Sequence, residues 1–143
     1  MPYQNPFALP KTVKPELKRA LDYWRDLKRG DNNMPFADDV SLATLRNSQV
    51  FLLKVFAPLR FRFEAVGDLH AIDGAPVGRF IDEIASIGTL SYLPAQCCAT
   101  IEAGEPTFWH FDASGSDKEF SRLLLPAWGA GHIDLLLGVI ALG

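Results

Sequence analysis

Residues 50–67 read VFLLKVFAPLRFRFEAVG, and this stretch predicts two strands folded on each other. In the second, Leu59, Phe61, Phe63 and Ala65 alternate with Arg60, Arg62 and Glu64. A period of two puts the apolar set on one face of a half-buried antiparallel strand and the charged set on the other. Ala57-Pro58 breaks the run, and proline has no N–H to give to a ladder. The hairpin carries no catalytic group, so it speaks to architecture rather than to activity.

A second stretch sets the hairpin in context. Residues 133–142 are almost wholly apolar, which predicts a central strand covered on both faces. The charged face of the hairpin then belongs to an outer part of the same sheet. One cover is available from short helical turns and a helix over 90–103, where Leu90, Leu93, Cys97 and Ile101 form a stripe and Pro94 fits only the first turn. The other cover must be an N-terminal helix or a second subunit. Pro15 and Glu16 suit a first helical turn, and Leu17, Ala20, Leu21, Trp24 and Leu27 recur at helical spacing up to Gly30.

The remaining segments complete an α+β order. Asp38-Asp39 can open a short helix over 40–45, and 68–72 and 80–84 each suit one further turn. Three strands follow: 107–112 with Phe108, Trp109 and Phe111, then 119–125 closed by Pro126, then 133–142 after the turn Gly129-Ala130-Gly131. Residues 1–15, with Pro2, Pro6, Pro10 and Pro15, read as an extended N-terminal arm, and 16–143 as one domain.

Composition narrows the function classes. The 143 residues suit a single domain, and 48% hydrophobic with 22% charged residues gives it a real core. A net charge of -3 offers no overall attraction to nucleic acid or to an acidic membrane surface. The basic residues of 11–29 are interleaved with Glu16, Asp22 and Asp26, as on a solvated helix face. No signal peptide and no apolar run of membrane-spanning length is present, so the expectation is a soluble cytoplasmic protein.

The order of elements resembles that of the PAS sensor domain. The residues are similar to those of small standalone bacterial PAS-type proteins. The matching stretches are Leu21-Asp22-Tyr23-Trp24-Arg25, Phe51-Leu52-Leu53, Arg60-Phe61-Arg62-Phe63 with Val66-Gly67, Val77-Gly78-Arg79, Leu123-Leu124-Leu125-Pro126 and 135–141. They run from about residue 16 to the end. The resemblance implies a PAS-like five-stranded antiparallel sheet with a helical crossover and an N-terminal helix. It implies a sensory role in signal transduction, and it fixes no cofactor. The chain departs from the pattern at Asp68 and over 70–74, where such domains line their ligand cavity. Phe63, His70, Phe80, Cys97 and Trp109 are the candidate lining residues. The plainer reading of His70 is a surface or turn histidine.

Other chemistry finds little support in the sequence. His70, His110 and His132 lack metal-ligand spacing to one another or to cysteine. The helix over 90–103 has no axial histidine for haem, and Gly78-Arg79 is followed by Phe80-Ile81 rather than by a flavin-reactive cysteine. His110 and Asp112 share a strand face and, with Glu102 or Glu105, could make an acid–base pair; a polar strand face is the plainer alternative. Cys97 and Cys98 read as structural rather than reactive, with no Lys or Arg within a helical turn.

The expectation is therefore a non-enzymatic sensory or regulatory domain. It binds a small molecule if any, and signals through a protein partner or a homodimer. The dimer candidates are Leu17, Leu21, Tyr23 and Trp24, which could equally pack on the chain's own sheet. A cone-shaped acid–base enzyme using His110, Asp112 or Asp134, and a structural dimer or adaptor, are the alternatives.

Overall fold

The strand without a polar face lies in the middle of the sheet. The structure, a computed structural model, describes residues 6–45, 49–67, 77–84, 90–111 and 119–142. Within them the order is α1 (Pro15–Leu27), β1 (Gln49–Phe56), β2 (Arg60–Val66), α2 (Leu93–Ala103), β3 (Thr107–Phe111), β4 (Phe120–Gly129) and β5 (His132–Leu142). Single 3-10 turns occupy Ala37–Asp39, Leu42–Leu45 and Ile81–Glu83. The sheet runs β2-β1-β5-β4-β3, antiparallel throughout. The turn expected over 68–72, with His70, lies outside the described residues, as does Asp112. Among the described residues no helix is long and apolar enough to cross a membrane.

Each helix covers one face of β5. Leu17, Ala20, Leu21 and Trp24 of α1 pack with Val50, Leu123, Leu125, Leu137 and Val139. Leu93 and Cys97 of α2 pack with Phe51, Leu53, Phe63, Leu124 and Leu136 on the other face. The apolar seam of α1 is thus closed within one chain: Leu17 is 0% and Trp24 3% exposed. This corrects the dimer assignment of Leu17, Leu21 and Trp24, which are core residues. Tyr23 is half-buried, and its hydroxyl is held by Ser41, accepting from the backbone N–H at 2.8 Å and donating to the carbonyl at 3.2 Å. The helix also stops at Leu27 rather than at Gly30, because Lys28 already has extended backbone.

Three local features depart from regular, sequence-expected strands. In β2, Leu52 pairs with Ala65 and Leu53 with Phe63, so Glu64 is an extra, bulged residue. The bulge reverses the alternation beyond it: Val66, not Ala65, packs into the α2-side core, and Leu59 lies in the turn before the strand. Second, β4 runs through Pro126 instead of ending there. β3 pairs with β4 only as far as Thr107–Leu124, so Pro126 lies beyond the end of β3 and its missing N–H breaks no ladder bond on that side. The Trp24 indole N–H donates to the Pro126 carbonyl at 2.7 Å and satisfies it. Third, Asp134 is bulged in β5, between the pairs Ala127–Leu135 and Trp128–Ile133.

Gly138 and the β4–β5 turn are the two places where backbone freedom matters. Gly138 of β5 stands opposite Phe51, and a Cβ there would run into the Phe51 ring. In the turn, Ala130 has φ 51° and Gly131 φ 83°, the paired positive values of a type I′ hairpin, for which Asn-Gly is the favoured sequence.

Two opposite stability changes follow. Gly138→Ala is expected to destabilise the fold by about 1–3 kcal/mol through overpacking against Phe51. Ala130→Asn relieves a left-handed alanine and is expected to stabilise by about 1 kcal/mol. Urea denaturation of both variants measures the two shifts.

Candidate functional site

The α2-covered face of the sheet holds a buried charge. Along β4, Phe120, Arg122 and Leu124 point to this face while Leu123 and Leu125 point to α1. Arg122 is 0% exposed. A buried guanidinium costs several kcal/mol unless its donors are met. Its Nε donates to Gln96 Oε1 at 2.7 Å and its Nη2 to the Ser91 carbonyl at 2.9 Å. Burial lowers its pKa to about 10, which leaves it charged at neutral pH.

Gln96 clasps Arg122 at both ends. Its Nε2 donates to the Arg122 carbonyl and to Thr107 Oγ1, each at 3.2 Å. Thr100 Oγ1 donates to the Gln96 carbonyl at 2.8 Å. The 2.6 Å bond between the two threonine hydroxyls must then be donated by Thr107. Donors and acceptors run in one direction from Arg122 through Gln96, Thr107 and Thr100 back to the Gln96 backbone. The i, i+4 pair Gln96 and Thr100 was not singled out in the sequence, and neither was Arg122. The available signal was a charge at an inward position of a strand flanked by leucines.

Trp109 stands directly across from Arg122 in the β3–β4 register. Its ring lies 5.4 Å from that of Phe7 on the N-terminal arm and 5.1 Å from that of Tyr92. Tyr92 is 58% exposed and has a left-handed φ of 60°, an unfavourable conformation for a tyrosine. The Trp109 Nε1–H is buried without a hydrogen-bond partner. Such a donor costs about 1–3 kcal/mol, and among the described residues it is the exception, since no other buried side-chain polar atom lacks a partner.

The sequence candidates divide accordingly. Phe63 and Cys97 are buried on this face, and Trp109 packs at the margin of the same cluster. Burial pushes the Cys97 thiol well above its usual range, outweighing the nearby Arg122 charge, so it stays protonated and unreactive. Cys98 is exposed. Phe80 is elsewhere: it bridges to β2, with its ring 5.5 Å from Phe56 and the Arg60 guanidinium 3.8 Å above it. His70 lies outside the described residues.

The acid–base candidates are also placed. His110 bonds Ser121 Oγ through Nδ1 and Glu119 Oε1 through Nε2, each at 2.9 Å. A serine, a histidine and a carboxylate therefore stand in line. Ser121 is only 3% exposed, so its hydroxyl has no open approach, and the line acts as a clamp between β3 and β4. Glu119, not Glu102 or Glu105, is the carboxylate partner. Asp134 is paired with Lys54 at 3.4 Å and His132 at 3.5 Å. Among the described residues no group of His, Cys, Asp and Glu could hold a metal ion.

The clasp is testable by asking which side of it tolerates loss. Gln96→Leu strips the Arg122 Nε of its acceptor in a buried setting and is expected to cost about 3 kcal/mol or more. Arg122→Met removes the charge and leaves neutral acceptors, the Gln96 amide and the Ser91 carbonyl, short of a donor, at about 1–3 kcal/mol. Denaturation midpoints should rank Gln96→Leu below Arg122→Met.

Comparison of the chain with protein-family models, with curated proteins and with solved structures found no match.

Proposed function

We propose that this chain is a PAS-type sensory domain, non-enzymatic, which takes a small molecule on the α2-covered face of its sheet and signals through a protein partner or a second copy. At the level of fold, the support is the five-stranded antiparallel sheet with a helical connection between β2 and β3 and a helix before β1, the architecture that the sequence resemblance implies. Fold alone assigns no activity. The observation that carries the reading is the buried, unpartnered Trp109 Nε1–H, opposite the charged Arg122. An entering carbonyl or carboxylate oxygen would meet a donor whose desolvation is already complete. Such a ligand binds the folded state alone and stabilises it by mass action.

An adaptor that works without a ligand is the second reading, and one observation favours it. Phe36, Leu59 and Trp128 are large apolar side chains left exposed. Leu59 and Trp128 also line a groove of about 540 Å³ beside the β1–β2 and β4–β5 turns. Exposed apolar surface of this kind marks interaction sites.

Thermal unfolding against nucleotides, haem, flavins and small carboxylates separates the two. The sensor reading expects at least one stabilising compound, with the shift lost in Trp109→Phe. That variant should itself cost less than about 1 kcal/mol, because it removes an unpaired donor along with part of the ring. No stabiliser in the screen, together with concentration-dependent light scattering that Trp128→Ser abolishes, would favour the adaptor.

A further inference from the structure

A groove of about 630 Å³ lies between the N-terminal arm, the last turn of α1 and the junction of α2 with β3. That volume is in the range of small-ligand sites. We propose that it binds a small organic anion with an apolar body. The groove adjoins the α2-covered face at Thr107 and Phe7, but its cations lie at the end of α1 and the proposal does not rest on the sensor reading.

The charge of the lining comes first. Arg25 and Lys28 both line the groove, three residues apart at the end of α1 and so on one side of the helix. Among the described residues neither has a carboxylate within ion-pair distance. Neighbouring cations do: Lys18 is paired with Asp22 at 2.7 Å and Arg29 with Asp39 at 2.8 Å. The helix C-terminus explains why cations are tolerated at this end, but it supplies them no counterion. Among the described residues Glu105 is the one carboxylate in the lining, against the two cations.

One of the two cations is also held in place. The Lys28 ammonium sits 5.0 Å from the centre of the Trp24 ring. That ring is fixed in turn by its bond to the Pro126 carbonyl. Asn33 adds an amide to the same rim.

The groove also has apolar side chains in its lining. Phe7 and Leu9 of the arm line it, together with Pro106. The arm is anchored there: the Phe7 carbonyl accepts from the Phe108 N–H at 2.9 Å. An inorganic anion would leave these apolar side chains unused, and a neutral apolar molecule would leave the cations unused. An aromatic or aliphatic carboxylate uses both.

Benzoate is the probe, with benzamide and inorganic phosphate as controls, followed by amide chemical shifts of the full chain. Benzoate is expected to perturb the amides of Asn33, Gly104 and Thr107 in a saturable way, more strongly than either control. The double variant Arg25→Gln/Lys28→Gln should weaken benzoate binding about tenfold or more. Both side chains reach solvent, so the variant should keep its dispersed spectrum, and Arg19→Gln, on the same helix but outside the groove, should change nothing. Benzoate that leaves these amides unmoved, binds equally to the double variant, or is matched by benzamide or phosphate would overturn the proposal.

Discussion

β5 has no polar face, and the rest of the molecule is arranged around that fact. A strand buried on both sides cannot stand at an edge or face water, so it takes the centre of the sheet and demands a cover on each face. α1 supplies one and α2 the other. The outer strands can then carry polar groups. On β2, Arg62 pairs with the bulged Glu64, and Arg60 pairs with Asp82. The edges of the sheet are blunted too. The segment around Gly78 and Arg79 bonds to Phe63 on β2, and the arm bonds to Phe108 on β3.

Against this apolar background the α2 face is chemically distinct. An arginine with no exposure survives there because a glutamine and a carbonyl accept its protons and two threonines complete the circuit. Replacing such a cluster with leucines would be the simpler route to stability. Its presence, with an unpartnered indole N–H across the strand pair and a left-handed tyrosine packed at a tilt against that indole, concentrates polar and strained features in one place. Such concentrations are what binding sites require and stable cores avoid.

How far the sequence reveals this differs from element to element. The place of β5 was legible because a near-continuous apolar run has only one position in a sheet. The hairpin was legible from its alternation, but the bulge at Glu64 was not, since one extra residue changes register without changing composition. Pro126 misled for a related reason. Whether a proline ends a strand depends on how far its neighbour runs, and β3 stops short of it. For the seam of α1, periodicity finds an apolar face without saying what covers it. Trp109 was legible as an aromatic on a strand. Its orphaned N–H, and the clasp of Arg122 by Gln96, depend on α2 lying across β3 and β4, which no local pattern encodes.

We propose that the α2-covered face holds a small molecule. Native mass spectrometry of the protein purified without added ligand tests it most directly. The account expects a mass above that of the bare chain, lost on denaturation and absent from the Trp109→Phe variant. A native mass equal to the denatured mass, or an adduct retained in full by Trp109→Phe, would contradict it.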